Sequence, residues 1–306
     1  MEYCKLGENK SSCIIMGCMR IGDKPLLQTE KVMVEAMQAG VNTFDLADIY
    51  AGGDSERIFG VAVRDLELPR DQYVLQTKCG IRKENGKKWF DFSKEYILES
   101  VEGSLKRLNN DYLDVLLLHR PDTLVETEEV AEAFERLKSQ GKVRSFGVSN
   151  FSASQMRMFK QAGIEVVANQ MQFSLMHTPL IDAGFYVNMK ADEAVVRAGD
   201  TLEYCRAEGI TLQAWSPLQY GFFEGVFVGN EKFPEVNELL NALAEKYECT
   251  PTTIAVAWIL RHPAKIQVVT GTTSQERMKE MCMAKNVCLT REEWYSLYLA
   301  TGKKLP

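Results

Sequence analysis

The chain has 306 residues, of which 45% are hydrophobic, and its 36 basic and 42 acidic side chains give a formal net charge of −6. A mildly acidic chain is poorly suited to binding nucleic-acid phosphates or an anionic membrane surface, although a local basic pocket for a small anion remains compatible with it. Because no apolar run approaches the roughly 18 residues of a membrane-spanning helix, and the N-terminus lacks the pattern of a signal peptide, we expect a cytoplasmic protein.

Short β-rich runs alternate with longer helical patterns along the chain. Periodicity predicts helices over residues 28–39, 93–108 and 127–140, the second opening at Ser93 and the third opening with a T-x-x-E-like cap near Thr127. The predicted strands are residues 14–16, 41–45, 73–77, 113–118, 143–148, 166–169, 211–214 and 266–269. Eight strands that alternate with helices imply parallel pairing through right-handed crossovers.

Two architectures satisfy this alternation, an open doubly wound sheet and a closed eight-stranded barrel. An open dinucleotide-binding sheet should carry G-x-G-x-x-G after its first strand, but here the first strand leads into MGCMR at positions 16–20. We therefore favour an α/β protein with one domain over residues 1–306, a (β/α)8 TIM barrel. Residues before 14 are expected to form a short β-hairpin under the barrel floor, and a C-terminal helix and tail to close the chain.

Polar or aromatic residues follow the apolar runs at the ends of six predicted strands. In a (β/α)8 barrel the active site lies at the C-terminal ends of the strands, so these side chains would meet at one mouth. They are Asp45 with Tyr50, Lys78, His119, Ser149 with Asn150, Asn169 with Gln170, and Trp215 with Ser216 and Pro217. Each alone has an ordinary interpretation as a turn cap or a solvated loop residue, but together they would bury several polar groups that need partners.

The chemistry that four of these residues could perform together is proton donation by a phenol. A free tyrosine titrates near pH ~10, and a nearby ammonium such as that of Lys78 should lower the pKa of Tyr50. Asp45 could hold Lys78 as its ion-pair partner, and His119 could hydrogen-bond the substrate oxygen or relay a proton to Tyr50. Such a site would protonate a carbonyl oxygen as hydride arrives at carbon, and the hydride requires a nicotinamide cofactor.

The ordered set FDLADIY, LQTK, LLLHRPD, GVSNF, NQMQFS, AWSPL and GTTSQERMKE resembles the aldo-keto reductases over essentially the whole chain. The segments SLMHTPLIDAGFYVNMK and LTREEWYSLYLATGKKLP are similar to a bacterial branch of that family. The resemblance implies a catalytic tetrad of Asp45, Tyr50, Lys78 and His119, with Tyr50 as the general acid in reduction and the base in oxidation. It also implies a nicotinamide cofactor that lies extended across the barrel mouth.

The same resemblance assigns cofactor contacts position by position. Ser149, Asn150 and Gln170 match the residues that hydrogen-bond the carboxamide, and Trp215 matches the aromatic residue that stacks on the nicotinamide ring. Further matches are Gly17, Cys18 and Met19 under the nicotinamide ribose, Ser216, Pro217 and Leu218 along the pyrophosphate, Gly271 and Thr273 before a helix N-terminus, Arg277 beside the adenosine 2′-phosphate, and Glu280 near the adenine. Many family members have a lysine at the position of Gly271, and its absence here weakens binding of the 2′-phosphate. NADP(H) is still preferred, and NAD(H) is the alternative.

Three segments are predicted to be loops over the site: residues 82–92, 177–200 and 219–230. Trp89 or Phe90 of the first could touch substrate, and the resemblance places substrate preference in such loops. The run GIRKENGK at 80–87 imitates a phosphate-binding P-loop but has the wrong spacing. The eight cysteines lack C-x-x-C pairs, and the three histidines lack zinc-ligand spacing, so we expect free thiols and no metal site.

The sequence leaves three functions open. The first is an NADP(H)-dependent reductase of a small-molecule aldehyde or ketone, acting as a monomer or weak homo-oligomer. The second is a cofactor-binding regulatory subunit on the same barrel with little turnover, against which the intact tetrad argues. The third is a Schiff-base aldolase that uses Lys78, which is disfavoured because Asp45 should keep that lysine charged.

Overall fold

The computed structural model describes residues 1–187, 189–190 and 194–306. Eight parallel strands close into a barrel, and each pairs with the next barrel strand along the chain. They are β3 (Ile14–Gly17), β4 (Thr43–Asp45), β5 (Val74–Cys79), β8 (Leu113–Leu118), β9 (Val143–Ser149), β10 (Ala168–Gln172), β11 (Thr211–Trp215) and β12 (Gln267–Thr270). Pairing of β12 with β3 closes the ring. The predicted barrel is confirmed, and the open sheet is excluded.

β4, β5, β10 and β12 begin one or two residues later than predicted, and six of the eight strands end one to three residues beyond their predicted ends. The reason is that polar residues at the barrel mouth still pair with their neighbours. Lys78 lies opposite Leu117 in the ladder, and Ser149 lies opposite Gln170. Several candidate site residues therefore belong to strands rather than to loops, and their backbone is fixed by the sheet.

Helices surround the barrel and confirm the predicted alternation. They are α1 (Leu26–Gln38), α2 (Asp54–Asp65), α3 (Lys94–Leu108), α4 (Thr127–Ser139), α5 (Ala153–Gln161), α6 (Pro179–Phe185), α7 (Thr201–Glu208), α8 (Pro234–Lys246), α9 (Pro251–Leu260), α10 (Gln275–Met283) and α11 (Arg291–Ala300). Ser93 caps α3 as predicted. The predicted cap at Thr127 is wrong, because Thr127 is the first helical residue and Glu126 occupies the capping position without a side-chain bond.

A hairpin closes the barrel floor, as predicted. It consists of β1 (Tyr3–Leu6) and β2 (Asn9–Ser12), which pair antiparallel. Leu6 packs into a small buried cluster with Val74, Val115, Leu117 and Ala168. These apolar side chains seal the lower barrel, so the open end is the one at which the strands finish.

The segment 82–92, predicted to be a loop, instead forms most of a second hairpin made of β6 (Ile81–Glu84) and β7 (Lys87–Phe90). Asn85 and Gly86 connect its strands with φ values of 50° and 76°. An Asn-Gly pair between two extended runs favours a two-residue hairpin turn. That signal was present in the sequence and was not used in the prediction.

The other two predicted loops differ in their content of regular structure. Segment 177–200 includes α6, and positions 188 and 191–193 of that prediction lie outside the described residues. Segment 219–230 has no regular element beyond an isolated bridge between Gln219 and Val226.

At the C-terminus α11 docks on α9 through stacked Trp258 and Trp294, whose ring centroids are 4.7 Å apart. None of the helices in the described residues is long and apolar enough to cross a bilayer.

Candidate active site

The backbone after β4 brings Tyr50 over the end of β5. β4 stops at Asp45, but the chain keeps bonding to β5, since Leu46 N donates to Gln76 O and Asp48 N donates to Lys78 O. Tyr50 then begins a short 3-10 helix, Tyr50–Gly53. Its remaining residues all have positive φ, which two glycines adopt without strain. The strand that ends at Asp45, the tyrosine at position 50 and the Gly-Gly pair after it therefore build one tight turn at the mouth.

Lys78 is the centre of the polar cluster and is fully buried. Its Nζ donates to Asp45 Oδ2 at 2.6 Å, to Leu46 O at 2.6 Å and to Tyr50 Oη at 3.2 Å. An ammonium has three donors, and all three have acceptors here. Because Tyr50 Oη accepts from Lys78, its own proton is left to point away from the lysine.

The titration of this pair differs from the expectation. Burial raises the pKa of the Tyr50 phenol above its ordinary value, although Lys78 acts to lower it. Burial also works against the charge on Lys78, but Asp45 and Tyr50 outweigh it, so the pKa of Lys78 is raised. The predicted net lowering of the Tyr50 pKa is therefore wrong for the protein alone, because the sequence gives no measure of burial. Both groups are protonated at neutral pH.

His119 lies beside Tyr50, with ring centroids 5.7 Å apart and the rings nearly perpendicular. Burial and the positive charges of Lys78, Arg120 and Lys88 hold the pKa of His119 well below its usual range. Its Nδ1 is buried and has no hydrogen-bond partner among the described residues. A neutral imidazole carries one proton, and burying an unpaired N–H is costly, so the proton belongs on Nε2.

A buried chain of glutamines holds the other carboxylate oxygen of Asp45. Gln76 Nε2 and Gln170 Nε2 both donate to Asp45 Oδ1, at 2.5 and 3.0 Å. Both also donate to Gln213 Oε1. Gln213 in turn donates to Gln267, whose Nε2 reaches the floor hairpin. The sequence analysis missed this row of glutamines, since its amides come from four strands that are separated along the sequence.

A second buried cluster lies behind the Tyr50 turn and was also missed. Glu56 of α2 is fully buried and accepts from Thr77 Oγ1 at 2.6 Å and Arg107 Nε at 2.7 Å. Burial and Glu56 raise the pKa of Asp48 to about 7. Asp48 Oδ1 is buried without a partner among the described residues, as expected of a carboxyl that keeps its proton.

The residues predicted to hold a carboxamide form a linked row along the mouth. Ser149 Oγ donates to Gln170 O, Asn150 Nδ2 donates to Ser149 Oγ, and Trp215 Nε1 donates to Asn150 Oδ1. The bonds fix the orientation of the Trp215 ring. Because the amide nitrogen of Gln170 bonds Asp45 and Gln213, this side chain belongs as much to the polar cluster around Lys78 as to the row.

Three side chains lie against Trp215. Phe222 meets it edge-on at 6.1 Å, and Phe223 stacks on it at 6.3 Å between centroids. Arg120, directly after His119, has its Cζ 5.4 Å from the Trp215 centroid. Segment 219–230 thus reaches the site, as predicted, and Arg120 is a residue that the sequence analysis did not single out.

The turn after β3 contributes less surface than expected. Gly17 is forced by packing, because a Cβ there would lie 2.1 Å from Thr270 O. Cys18 is fully buried, its thiol points to Met16 O and its backbone N donates to Asp45 O, so this residue offers no exposed surface to a ligand. Met19 is 36% exposed and is the one side chain of the three that faces outward.

The predicted phosphate segment lies between β12 and α10. Ser274 caps α10 by accepting from Arg277 N, and the Arg277 side chain is exposed. Arg20, from the turn after β3, donates to Gly271 O at 3.1 Å, and a Cβ at Gly271 would lie 3.7 Å from its guanidinium. Two cations thus flank this segment.

The remaining predicted contacts are dispersed around the mouth. Thr273 O accepts from Gln28 Nε2. Glu280 is half-buried on α10, and Ser216, Pro217 and Leu218 form the turn after β11, with Ser216 at a φ of 52°.

Known proteins resemble this chain along its length. The model of the Aldo/keto reductase family matches residues 13–298. The 6-dehydroglucose reductase of Agrobacterium fabrum is 34% identical, covering 96% of this chain and 96% of its own. The NADH-specific methylglyoxal reductase of Escherichia coli is 31% identical, covering 84% of this chain and 82% of its own. A crystal structure of an aldo-keto reductase from Klebsiella pneumoniae in complex with NADPH has the same fold, with a TM-score of 0.77 at 24% identity, covering 97% of this chain and 93% of that chain.

Proposed function

The chain belongs to the aldo/keto reductase family of oxidoreductases, and from this premise we propose that it reduces the carbonyl group of a small aldehyde or ketone with NADP(H). Tyr50 is the general acid in this proposal, with Lys78, Asp45 and His119 in support. The observation that carries it is the set of contacts at Lys78 Nζ, which bonds Asp45 and Tyr50 at once. A structural lysine would need no phenol whose proton faces away from it.

The residues of the mouth fit a nicotinamide cofactor. Trp215 offers an aromatic surface whose orientation is fixed by Asn150. A flat and electron-poor ring such as nicotinamide stacks favourably on indole. When bound, the nicotinamide supplies the hydride for the carbonyl carbon.

The protein supplies the proton and holds the carbonyl. Tyr50 Oη donates to the carbonyl oxygen and gives up its proton as that oxygen becomes an alkoxide. The ammonium of Lys78 stabilises the phenolate that remains, and Asp45 keeps the ammonium charged and aimed. Because the pKa of His119 is low, this ring acts as an Nε2–H donor that orients the carbonyl, not as a proton relay.

NADP(H) is proposed over NAD(H) because two cations flank the segment before α10. Arg277 lies in the first turn of the helix, whose N–H groups favour a phosphate. Arg20 brings a guanidinium to the position at which many relatives have a lysine. The relative from Escherichia coli is described as NADH-specific, so the preference needs its own measurement.

The test is to mix the protein with NADPH and a panel of aldehydes and diketones, and to follow the loss of nicotinamide absorbance. Turnover that depends on the carbonyl compound is the expected result. Tight NADPH binding without turnover of any compound would instead favour the cofactor-binding regulatory protein. Borohydride trapping of an adduct on Lys78 would favour the aldolase.

A further inference from the structure

Arg120 is a cation at the barrel mouth without an acidic partner among the described residues. It follows His119 at the end of β8 and is half-buried. Its guanidinium lies beside two aromatic rings, with Cζ 5.4 Å from the Trp215 centroid and 5.9 Å from that of Phe222. Other arginines that stack on rings in this protein also bond a carboxylate: Arg70 and Arg144 bond Asp114, Arg82 bonds Asp91, and Arg157 bonds Asp200.

Attraction to aromatic rings holds a guanidinium without using its hydrogen bonds. The five N–H donors of Arg120 therefore stay available for acceptors. No side-chain acceptor in the described part of the chain takes them. Donors that are partly removed from water and left without acceptors are unfavourable, and a bound acceptor would relieve that cost.

The surroundings also favour an anion. The positive charges of Lys78 and Lys88 lower the pKa of His119, as the charge of Arg120 does. Burial lowers the pKa of Arg120, and no carboxylate of the described residues offsets this effect. The carboxylate of Asp45 is already bonded to Lys78 and two glutamines. The mouth is therefore locally positive although the chain carries a net charge of −6.

We propose that Arg120 is a substrate-recognition residue, and that the preferred substrates are aldehydes or ketones that carry an anionic oxygen group, such as a carboxylate, phosphate or sulfonate. This rests on the proposed function, because it places the carbonyl at Tyr50 and His119 and the anionic group at the neighbouring guanidinium. Arginine suits this task, since its fork of donors matches the oxygens of such groups in pairs.

The experiment compares matched pairs of aldehydes with the NADPH-saturated protein. The pairs are succinic semialdehyde and butanal, 4-carboxybenzaldehyde and its methyl ester, and glyceraldehyde 3-phosphate and glyceraldehyde. We expect the anionic member to have the higher kcat/KM in at least one pair, and the pair that responds identifies carboxylate or phosphate. Arg120→Gln should reduce the anionic-to-neutral ratio roughly 10- to 100-fold, the value of a charge-assisted hydrogen bond, mainly through KM of the anionic member.

Two further variants separate recognition from a general effect on the site. Arg120→Lys keeps the charge but not the fork and should restore part of the ratio. Arg136→Gln removes an exposed arginine of α4 and should leave the ratio unchanged. Because loss of Arg120 could also shift His119, only the ratio within a pair is interpreted, since an effect on the chemistry lowers both members alike.

A binding measurement covers the case without turnover. Calorimetry compares 4-(hydroxymethyl)benzoate with 4-(hydroxymethyl)benzamide on the NADPH-bound wild-type protein and on Arg120→Gln. Tighter binding of the benzoate, lost in the variant, supports the inference even if no aldehyde is reduced, an outcome that would refute the reductase alone. Equal ratios in wild type and Arg120→Gln, or a wild-type preference for the neutral members, overturn the inference and leave the reductase standing.

Discussion

The environments of Tyr50 and His119 shift the pKa values of these two side chains in opposite directions. Burial keeps the phenol protonated and the imidazole neutral, since it raises the pKa of the first and, together with nearby cations, lowers that of the second. The phenol therefore carries a proton that it can donate at neutral pH, whereas the imidazole is not protonated to a cation. In the proposed mechanism His119 accordingly keeps only the hydrogen-bonding one of the two roles that the sequence predicts for it.

These directions predict the pH profile of carbonyl reduction at saturating NADPH. The kcat/KM should show no acid limb near the ordinary histidine pKa of about 6.5, and no loss toward the ordinary tyrosine pKa of about 10. A plateau across the neutral range is the expected result, measured in buffers of constant ionic strength. An acid limb centred near 6.5 would mean that His119 titrates normally and that its assignment as a neutral donor is wrong.

Arg277 and Arg20 predict the cofactor preference. Replacing either by glutamine should weaken NADPH binding about tenfold or more, the value of one charge-assisted contact to a phosphate, and should change NADH binding little. Dissociation constants from fluorescence titration measure both. Lys279→Gln, an exposed change on the same helix, is the control. Equal losses for the two cofactors would show that no 2′-phosphate is recognised there.

At the scale of elements, the turn after β4 rests on a buried acidic cluster. Asp48 and Glu56 lie together behind Tyr50, and only Glu56 has a cationic partner, Arg107. The repulsion between the two carboxylates is removed if Asp48 keeps its proton, in agreement with its pKa of about 7. The α2 helix and the turn that carries Tyr50 are thus coupled through a titratable group.

Asp48→Asn tests that coupling through the pH dependence of unfolding. Between the unfolded pKa of about 3.9 and the folded value of about 7, the folded wild type binds a proton that the unfolded chain does not. Its stability from this group is therefore full below pH ~4 and declines up to pH ~7. The asparagine variant lacks this decline.

The stability of Asp48→Asn relative to wild type should therefore increase with pH across that window and level off above it. Urea unfolding at a series of pH values measures the difference. Asp54→Asn, at an exposed ion pair with Arg57, serves as the control. A difference that is constant with pH would show that Asp48 ionises normally in the folded protein.

At the scale of the whole molecule, the order of the elements predicts the barrel. It does not predict the hydrogen-bond partners and the burial of the side chains inside the barrel mouth. Eight apolar runs between helical patterns predict a barrel, and the ends of those runs predict Asp45, Tyr50, Lys78 and His119 near each other. The cofactor roles and the single domain over residues 1–306 stay predictions.

The sequence alone does not predict which side chains meet across the barrel or how deeply each is buried. The amides of Gln76 and Gln213 are 137 positions apart and meet only because the barrel closes. Arg20 meets Gly271 across 251 positions for the same reason. The sign of the Tyr50 pKa shift depends on how burial and the Lys78 charge balance, which no motif encodes. The hairpin at 81–90, by contrast, had a readable signal in Asn85 and Gly86.

Cofactor binding should stabilise the whole barrel, since its proposed contacts come from β3, β9, β10, β11 and the segment before α10. NADPH at a hundred times its dissociation constant should raise the free energy of unfolding by about 2.7 kcal/mol. Thermal unfolding with NADPH, and with NADH at the same concentration, measures the effect. A melting temperature unchanged by either cofactor would contradict binding at this mouth.

The central claim is that the phenol of Tyr50, held by Lys78, is the proton donor, and Tyr50→Phe tests it most directly. The measurement is kcat for an aldehyde together with the NADPH dissociation constant, with Tyr3→Phe on the floor hairpin as a matched control. We predict that kcat falls by roughly 10²- to 10⁴-fold, that NADPH binding is nearly unchanged, and that the control behaves as wild type. Near-full kcat in Tyr50→Phe would contradict the assignment.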